Sequence, residues 1–419
     1  MTYRDVVSKK VMVWALVSVG ARMPVAMAPL ALVFLVRERP GGYALGALLA
    51  AVYVAGEIVG APLLGMYLRP ERARAHLAVG LAAGATGFTG LGLLPDAPAA
   101  VLAPLAFLAG AAPAAATGGL RTLLTGLVAQ RAVTQALSVE STLVSAIWAL
   151  SPVTVTGLAL GAAPRVPLLL AAGLMGASVA GLWLLPAGWA ANPADRDGVS
   201  MPRLLARGWP VYVTGAASLS VLALAELVLP ALLEQRAIAV GWSGPLLMGL
   251  ALGSGVGAIL YGLRSWPWRL PTLSLVLMCG VSACIALVAL IPRAGWMAPA
   301  LAGAGVLQAS VMVTRNLTLR EALPPSALAA GYSVMYAAVG LGYAATGSLA
   351  GALLRFVAPS TAILAGVGLT LLLTVAGATG EYRRTGSGSG GGRTVSGAGG
   401  VAGPEGAPIS RGGHAEGGL

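Results

Sequence analysis

Four ionisable side chains stand inside stretches that are otherwise apolar. They are Arg22 in SVGARMPVAMAPLALVFLV (residues 18–36), Glu57 in AVYVAGEIVGAPLLG, Glu140 in SVESTLV and Glu226 in AELVLPALL. A charge at the centre of a membrane helix costs about 2.5–3.5 kcal/mol on insertion scales, so such groups persist where they have a partner or a task. Arg22 lies about eleven residues into its segment, too deep for its head to reach the lipid headgroups. Its guanidinium stays protonated, so it cannot carry a transferable proton. It can hold a carboxylate, an anion or a carbonyl, or it can lock two helices by pairing with a Glu or a helix carbonyl. Glu226 can exchange a proton, contact a ligand or form a structural ion pair. Glu57 offers a second proton site, a contact for a cation or an interhelical hydrogen bond. Glu140, near the start of its segment, meets water or Arg121. Pro24, Pro29 and Pro230 free backbone carbonyls close to these charges, either as hinges in a locally unwound helix or as plain packing kinks. Trp148 and Tyr336 are stacking surfaces or membrane-interface anchors.

The elements that must position these groups follow from composition. The chain has 419 residues, 57% hydrophobic and 10% charged, with a mean hydropathy of +0.85. A soluble globule needs far more polar surface. Hydrophobic runs of about 20 residues, long enough for a hydrocarbon core of roughly 30 Å, recur through the first 380 positions. They predict an all-α integral membrane protein with twelve spans, at about 11–36, 43–68, 75–94, 98–120, 137–161, 166–188, 210–233, 243–264, 271–292, 296–314, 328–354 and 358–380. Nineteen Lys and Arg then fall on the face of the amino terminus, against six on the other, which places both termini in the cytoplasm. Arg121 and Arg315 are among the nineteen, assigned to loops.

The net charge of +12 does not indicate nucleic acid binding, because the basic residues are scattered singly between spans. His76 and His414 lie far apart, Cys279 and Cys284 share one span out of pairing geometry, and no metal-ligand spacing or cofactor motif is visible. No Walker loop indicates direct use of ATP, and no catalytic constellation indicates an enzyme. PAGWAANPADRDGVSMPRLLARGW (186–209) is the longest polar interruption. It divides a first six-helix bundle (1–188) from a cytoplasmic linker (189–209) and a second bundle (210–380). Residues 381–419, rich in Gly and Ser, are expected to be a disordered cytoplasmic tail. The halves repeat each other: VGAPLLG (59–65) matches VGAILYG (256–262) in five of seven positions, Gly56 and Gly253 extend the match, and RTL (121–123) corresponds to RNL (315–317). A parallel repeat of six helices puts a cavity at the midplane, faced by Arg22 and Glu226 from equivalent spans.

On these features the chain resembles the major facilitator superfamily over roughly residues 10–380. The loop GMYLRPERAR (65–74) keeps Gly65 and Arg74 of the superfamily's Gly-x-x-x-Asp-Arg-x-Gly-Arg-Lys/Arg motif, with Arg69, Pro70 and Arg72 in place of its Asp, first Arg and second Gly. Ser151–Pro152 with Gly157 is similar to a loosened form of the fifth-span motif of exporters. ARMPVAMAPLAL and AELVLPALL resemble a bacterial branch of efflux-type permeases. The resemblance implies a monomeric transporter of the bacterial cytoplasmic membrane, without cofactor, whose partners are protons, lipid and a small molecule. It implies proton-coupled export of a small, fairly apolar drug or metabolite by alternating access. The alternatives are an importer and a non-transporting receptor or assembly protein on the same fold. Arg22, Glu226, Glu57 and Glu140 are then the substrate and coupling candidates, and Pro24, Pro29, Gly65, Arg74, Pro152 and Pro230 the hinge and gating candidates.

Overall fold

In lipid a backbone finds no hydrogen-bond partner but itself, so apolar runs of Ala, Leu, Val and Gly become helices. The computed structural model describes residues 8–39, 42–189, 200–354 and 356–388, and it is all-α. The first half holds α1 (Lys9–Val36), α2 (Gly42–Tyr67), α3 (Ala73–Leu93), α4 (Ala99–Ala111), α5 (Ala116–Leu127), α6 (Val133–Gly161) and α7 (Val166–Leu182). After the short α8 (Met201–Arg207), the second half holds α9 (Trp209–Gln235), α10 (Ser243–Leu263), α11 (Leu270–Leu290), α12 (Ala294–Ala322), α13 (Leu328–Leu353) and α14 (Pro359–Gly388). Among the described residues, 11 helices are long and apolar enough to cross a membrane, with α4 and α5 counted as one. The twelfth expected segment is the shorter apolar helix α7, Val166–Leu182.

Several boundaries differ from expectation, each for a local reason. The fourth segment breaks into a turn at residues 112–115, around Pro113, and resumes through Leu127. Arg121 therefore lies inside α5, and Arg315 inside α12, where both were assigned to loops. In contrast, α1 runs unbroken through Pro24 and Pro29, α9 through Pro230 and α6 through Pro152. Neighbouring helices tolerate the lost donors, and no unwinding accompanies them. The last helix passes the expected tail boundary: Glu381 is buried and pairs with Arg315. The rest of the expected tail, 389–419, and linker residues 190–199 lie outside the described residues, while linker residues 201–207 are helical.

Each half has its own apolar core, one around Trp14, Tyr53 and Phe88, the other around Leu229, Met278 and Ile285. Between the halves, α2 packs on α13 and α6 on α10, and α5 also reaches α13. Lipid gives no hydrophobic drive to helix pairing, so small residues and close backbone approach supply the contact. The sequence repeat reappears as packing. A Cβ on Gly56 would lie 2.6 Å from the Phe107 carbonyl and one on Gly60 2.3 Å from that of Ala111. In α10 and α12 the same close approach recurs: a Cβ on Gly253 would overlap the Ala302 carbonyl and one on Gly257 that of Val306. From the other side, a Cβ on Gly110 would overlap the Tyr53 carbonyl and one on Gly305 that of Leu250.

Because these atoms are backbone on both sides, neither can yield. Gly60→Ala and Gly257→Ala should each cost about 1–3 kcal/mol of stability. Gly249→Ala, with nothing within 4 Å, should leave the thermal midpoint of the purified protein in detergent unchanged.

Candidate functional site

At 3.6 residues per turn, Trp14, Ser18 and Arg22 form one stripe of α1, and it faces α5. Trp14 Nε1 donates to the Leu120 carbonyl at 2.7 Å and Arg22 Nη2 to that of Thr117 at 3.2 Å. The same Nη2 donates to Glu140 Oε1 on α6 at 2.5 Å. Arg121 Nε donates to both oxygens of that carboxylate, at 2.9 and 2.7 Å. Glu140, 1% exposed, thus holds two guanidinium groups and joins α1, α5 and α6. A buried charge is tolerable on these terms, paired and hydrogen-bonded.

Arg121 also reaches the other half. Its Nη1 donates to Asn316 Oδ1 on α12 at 3.1 Å, and its guanidinium sits 5.3 Å from the ring centroid of Tyr332 on α13. The Tyr332 hydroxyl in turn donates to the Asn316 carbonyl at 3.2 Å. Close by, Gln135 Nε2 on α6 donates to the Gly262 carbonyl at 3.1 Å, and Arg320 donates to Gln130 at 2.8 Å. A Cβ on Gly65 would lie 2.8 Å from Ser333 Cβ, and one on Gly118 2.5 Å from the Ala329 carbonyl. These contacts all sit at the end of the bundle where α2, α5, α10 and α12 finish and α13 begins.

Toward mid-depth, the first carboxylate is Glu57. It accepts from Tyr53 of its own helix at 3.2 Å and from Tyr336 of α13 at 3.4 Å. At 1.5 Å per residue, Glu57 lies about 15 Å from the end of α2 and Tyr336 about 12 Å from the start of α13. In the second half Glu226 accepts from Tyr343 at 3.1 Å. Among the described residues neither carboxylate has a cation partner.

The structure brings Arg22 and Glu140 together but not Arg22 and Glu226, which were expected to face one cavity. Glu226 belongs to a different cluster with Tyr343, and Glu140 lies closer because α6 packs directly on α1. Of the two expected surroundings of Glu140, burial leaves Arg121 and removes bulk water. Trp148 is 53% exposed on α6, away from the charges. Gly65 is a contact between halves, whereas Arg74 stays within one, donating to the Leu185 carbonyl at 3.3 Å and lying 4.4 Å over the Trp183 ring. Pro152 lies on an exposed part of α6, and the adjacent Ser151 Oγ donates back to the Ile147 carbonyl at 2.7 Å. Sequence reasoning named Arg121 only as one of two surroundings for Glu140, and it missed Asn316, Tyr53 and Tyr343 as site members. The RTL/RNL correspondence was the one signal for Asn316.

Removing one partner from a buried ion cluster leaves the others unpaired. Glu140→Gln should therefore cost about 3–5 kcal/mol, read as a lowered thermal midpoint. Arg74→Gln, which loses the Trp183 ring contact and the hydrogen bond to the Leu185 carbonyl, should cost no more than about 2 kcal/mol.

No family model matches the chain, and no curated protein matches it. Solved structures do match. The human organic anion transporter MFSD10 (TETRAN) aligns with a TM-score of 0.70 at 14% identity, covering 88% of this chain and 98% of that one. A bacterial homologue of the iron transporter ferroportin in the outward-facing state aligns with a TM-score of 0.69 at 13% identity, covering 90% and 98%. The same homologue with soaked iron gives 0.69 at 12%, covering 90% and 100%. At such identities the likeness is one of fold: the chain has the multi-spanning helical fold of transporters related to the major facilitator and ferroportin types.

Proposed function

We propose that the protein is a secondary transporter that exports a small, largely apolar molecule in exchange for protons, by alternating access. The observation that carries this is the seam between the halves. Its hydrogen bonds, Arg121–Asn316, Gln135–Gly262, Arg320–Gln130 and Tyr336–Glu57, gather between one end of the bundle and its middle. A seam bonded at one end suits a rocking pair of bundles. By the positive-inside rule the bonded end is cytoplasmic, which supports reading the arrangement as outward-facing. Two of the matched structures bear that description in their own right.

Glu57 and Glu226 suit proton exchange because their partners are hydroxyls. A tyrosine O–H can donate to a carboxylate or accept from a carboxylic acid, so the hydrogen bond survives either charge state. In the proposed cycle a proton taken from outside neutralises a carboxyl once the exported molecule has left. The halves then rock, the proton leaves to the cytoplasm, and a new molecule binds. Glu57 couples this to movement, since its bond to Tyr336 crosses the seam. Fixed charge at Glu140 cannot serve, because two cations depend on it.

The test uses bacterial cells producing the chain, loaded with a panel of small toxic organic compounds. Cells with the wild-type chain should accumulate less of at least one compound than cells without it, and a protonophore should abolish the difference. Glu226→Gln and Glu57→Gln, at equal membrane levels, should each reduce energised efflux at least tenfold. Undiminished efflux in both variants would overturn the proton role, and raised accumulation would reverse the direction to import.

A further inference from the structure

The ion cluster does not balance. Two guanidinium groups share a single carboxylate, which leaves one net positive charge on the cluster itself. Arg121 takes the larger share, with Nε on both oxygens of Glu140, Nη1 on Asn316 and its face on Tyr332. Arg22 keeps only Nη2 engaged, with Glu140 and the Thr117 carbonyl. Its Nε and Nη1 are buried and have no hydrogen-bond acceptor among the described residues. The side chain is 8% exposed, and one turn along the same stripe Ser18 Oγ is buried and equally unpartnered. Tyr336, which crosses the seam to Glu57, is close enough to Arg22 to interact with it electrostatically. Surplus positive charge and spare N–H donors therefore coincide in the middle of α1, beside the seam.

Structural pairing does not account for this arrangement. A guanidinium retained only to lock α1 against α6 would use its donors on that contact, and a second carboxylate would complete the charge. Spare donors on a fixed cation match an oxyanion, which brings one negative charge and several lone pairs. We propose that Arg22 anchors the acidic group of the transported molecule, a small organic anion with one carboxylate or sulfonate and an apolar body. This rests on the transport function proposed above and narrows its substrate class. The apolar body suits the Ala-, Leu- and Val-rich helices around the cluster, and an anion moving out against a proton moving in carries two charges per cycle, so an inside-negative membrane potential adds to the drive.

The test is calorimetric binding to the purified full chain in detergent, with gluconate as background anion. Methanesulfonate, benzenesulfonate and naphthalenesulfonate, which stay ionised at neutral pH, are compared with benzenesulfonamide, which stays neutral. At least one sulfonate should bind saturably and at least tenfold more tightly than the sulfonamide. Arg22→Gln should weaken that binding at least tenfold. Arg22→Lys, which keeps the charge but loses the spare donors, should also weaken it, while Arg203→Gln on the exposed face of α8 should not. Where Arg22→Gln fails to fold, the wild-type comparison and Arg22→Lys decide. Equal affinity for sulfonate and sulfonamide, saturation by chloride alone, no saturable sulfonate binding, or binding indifferent to Arg22 would each overturn the proposal. Sulfonate binding in a protein that moves no solute would instead sink the transport function and leave the anion site standing.

Discussion

The rest of the structure depends on how one buried carboxylate is shared. Hydrocarbon offers no solvation to an ion, so Glu140 fixes where α1, α5 and α6 must meet, and Arg121 carries the consequence across to α12 and α13. The second half solves the same problem differently. Arg315, at the repeat-equivalent place of Arg121, pairs with Glu381 on α14 and donates to Thr214 on α9 at 2.9 Å. The repeat has thus kept an arginine in equivalent helices while the carboxylate moved to another one. In the first half the result reaches the seam; in the second it ties three helices of one bundle together.

Around these charges the packing is set by absence of side chain. Where α2 crosses α4, and α10 crosses α12, glycines from both helices meet the partner's carbonyls, so the helices approach backbone to backbone. Close approach brings Tyr53 and Glu57, one turn apart on α2, into a narrow layer that can be reached from α13. Small residues thus do for position what the charged residues do for energy. Gly65 and Gly118 extend the same device to the seam, where Ala329, Ala330 and Ser333 supply the small surface opposite.

Much of the fold was legible because lipid leaves few options: long apolar runs become helices, and basic residues mark their ends. The break in the fourth segment was not legible, because Pro113 reads no differently in sequence from Pro24, Pro29 or Pro152, around which the helices stay whole. Whether a proline interrupts a helix depends on which neighbours can satisfy the freed carbonyl, and that is tertiary information. The intramembrane charges were legible as individuals, but of their partners only Arg121, beside Glu140, was. Arg22 and Glu226 occupy repeat-equivalent helices, yet adjacency in the repeat is not adjacency in space, and α6 brings Glu140 closer. Arg121 and Arg315 were hidden by the topology rule itself, which treats any arginine near a helix end as a loop charge. Glu381 was hidden because the Gly/Ser-rich composition that follows it masks the helix that carries it, which runs on to Gly388.

The distribution of ion pairs and hydrogen bonds gives the proposed cycle its energetics. Among the described residues the ion pairs, Arg22–Glu140, Arg37–Glu38, Arg39–Asp96, Arg121–Glu140 and Arg315–Glu381, each lie within one half. The bonds across the seam join an amide or carbonyl to a donor, or a hydroxyl to a carboxyl. Separating a buried ion pair would strand a charge at a cost of about 3–5 kcal/mol, whereas a hydrogen bond contributes about 0.5–1.5 kcal/mol, or about 1.5–3 where one partner is charged. Arg121 shows the division within one side chain. When the halves part, it releases the neutral amide of Asn316 and keeps the carboxylate of Glu140, so no charge is left alone. By these figures the four seam bonds together contribute about 5–10 kcal/mol, and water or new partners can replace each of them as the seam opens, while each bundle keeps its own ions.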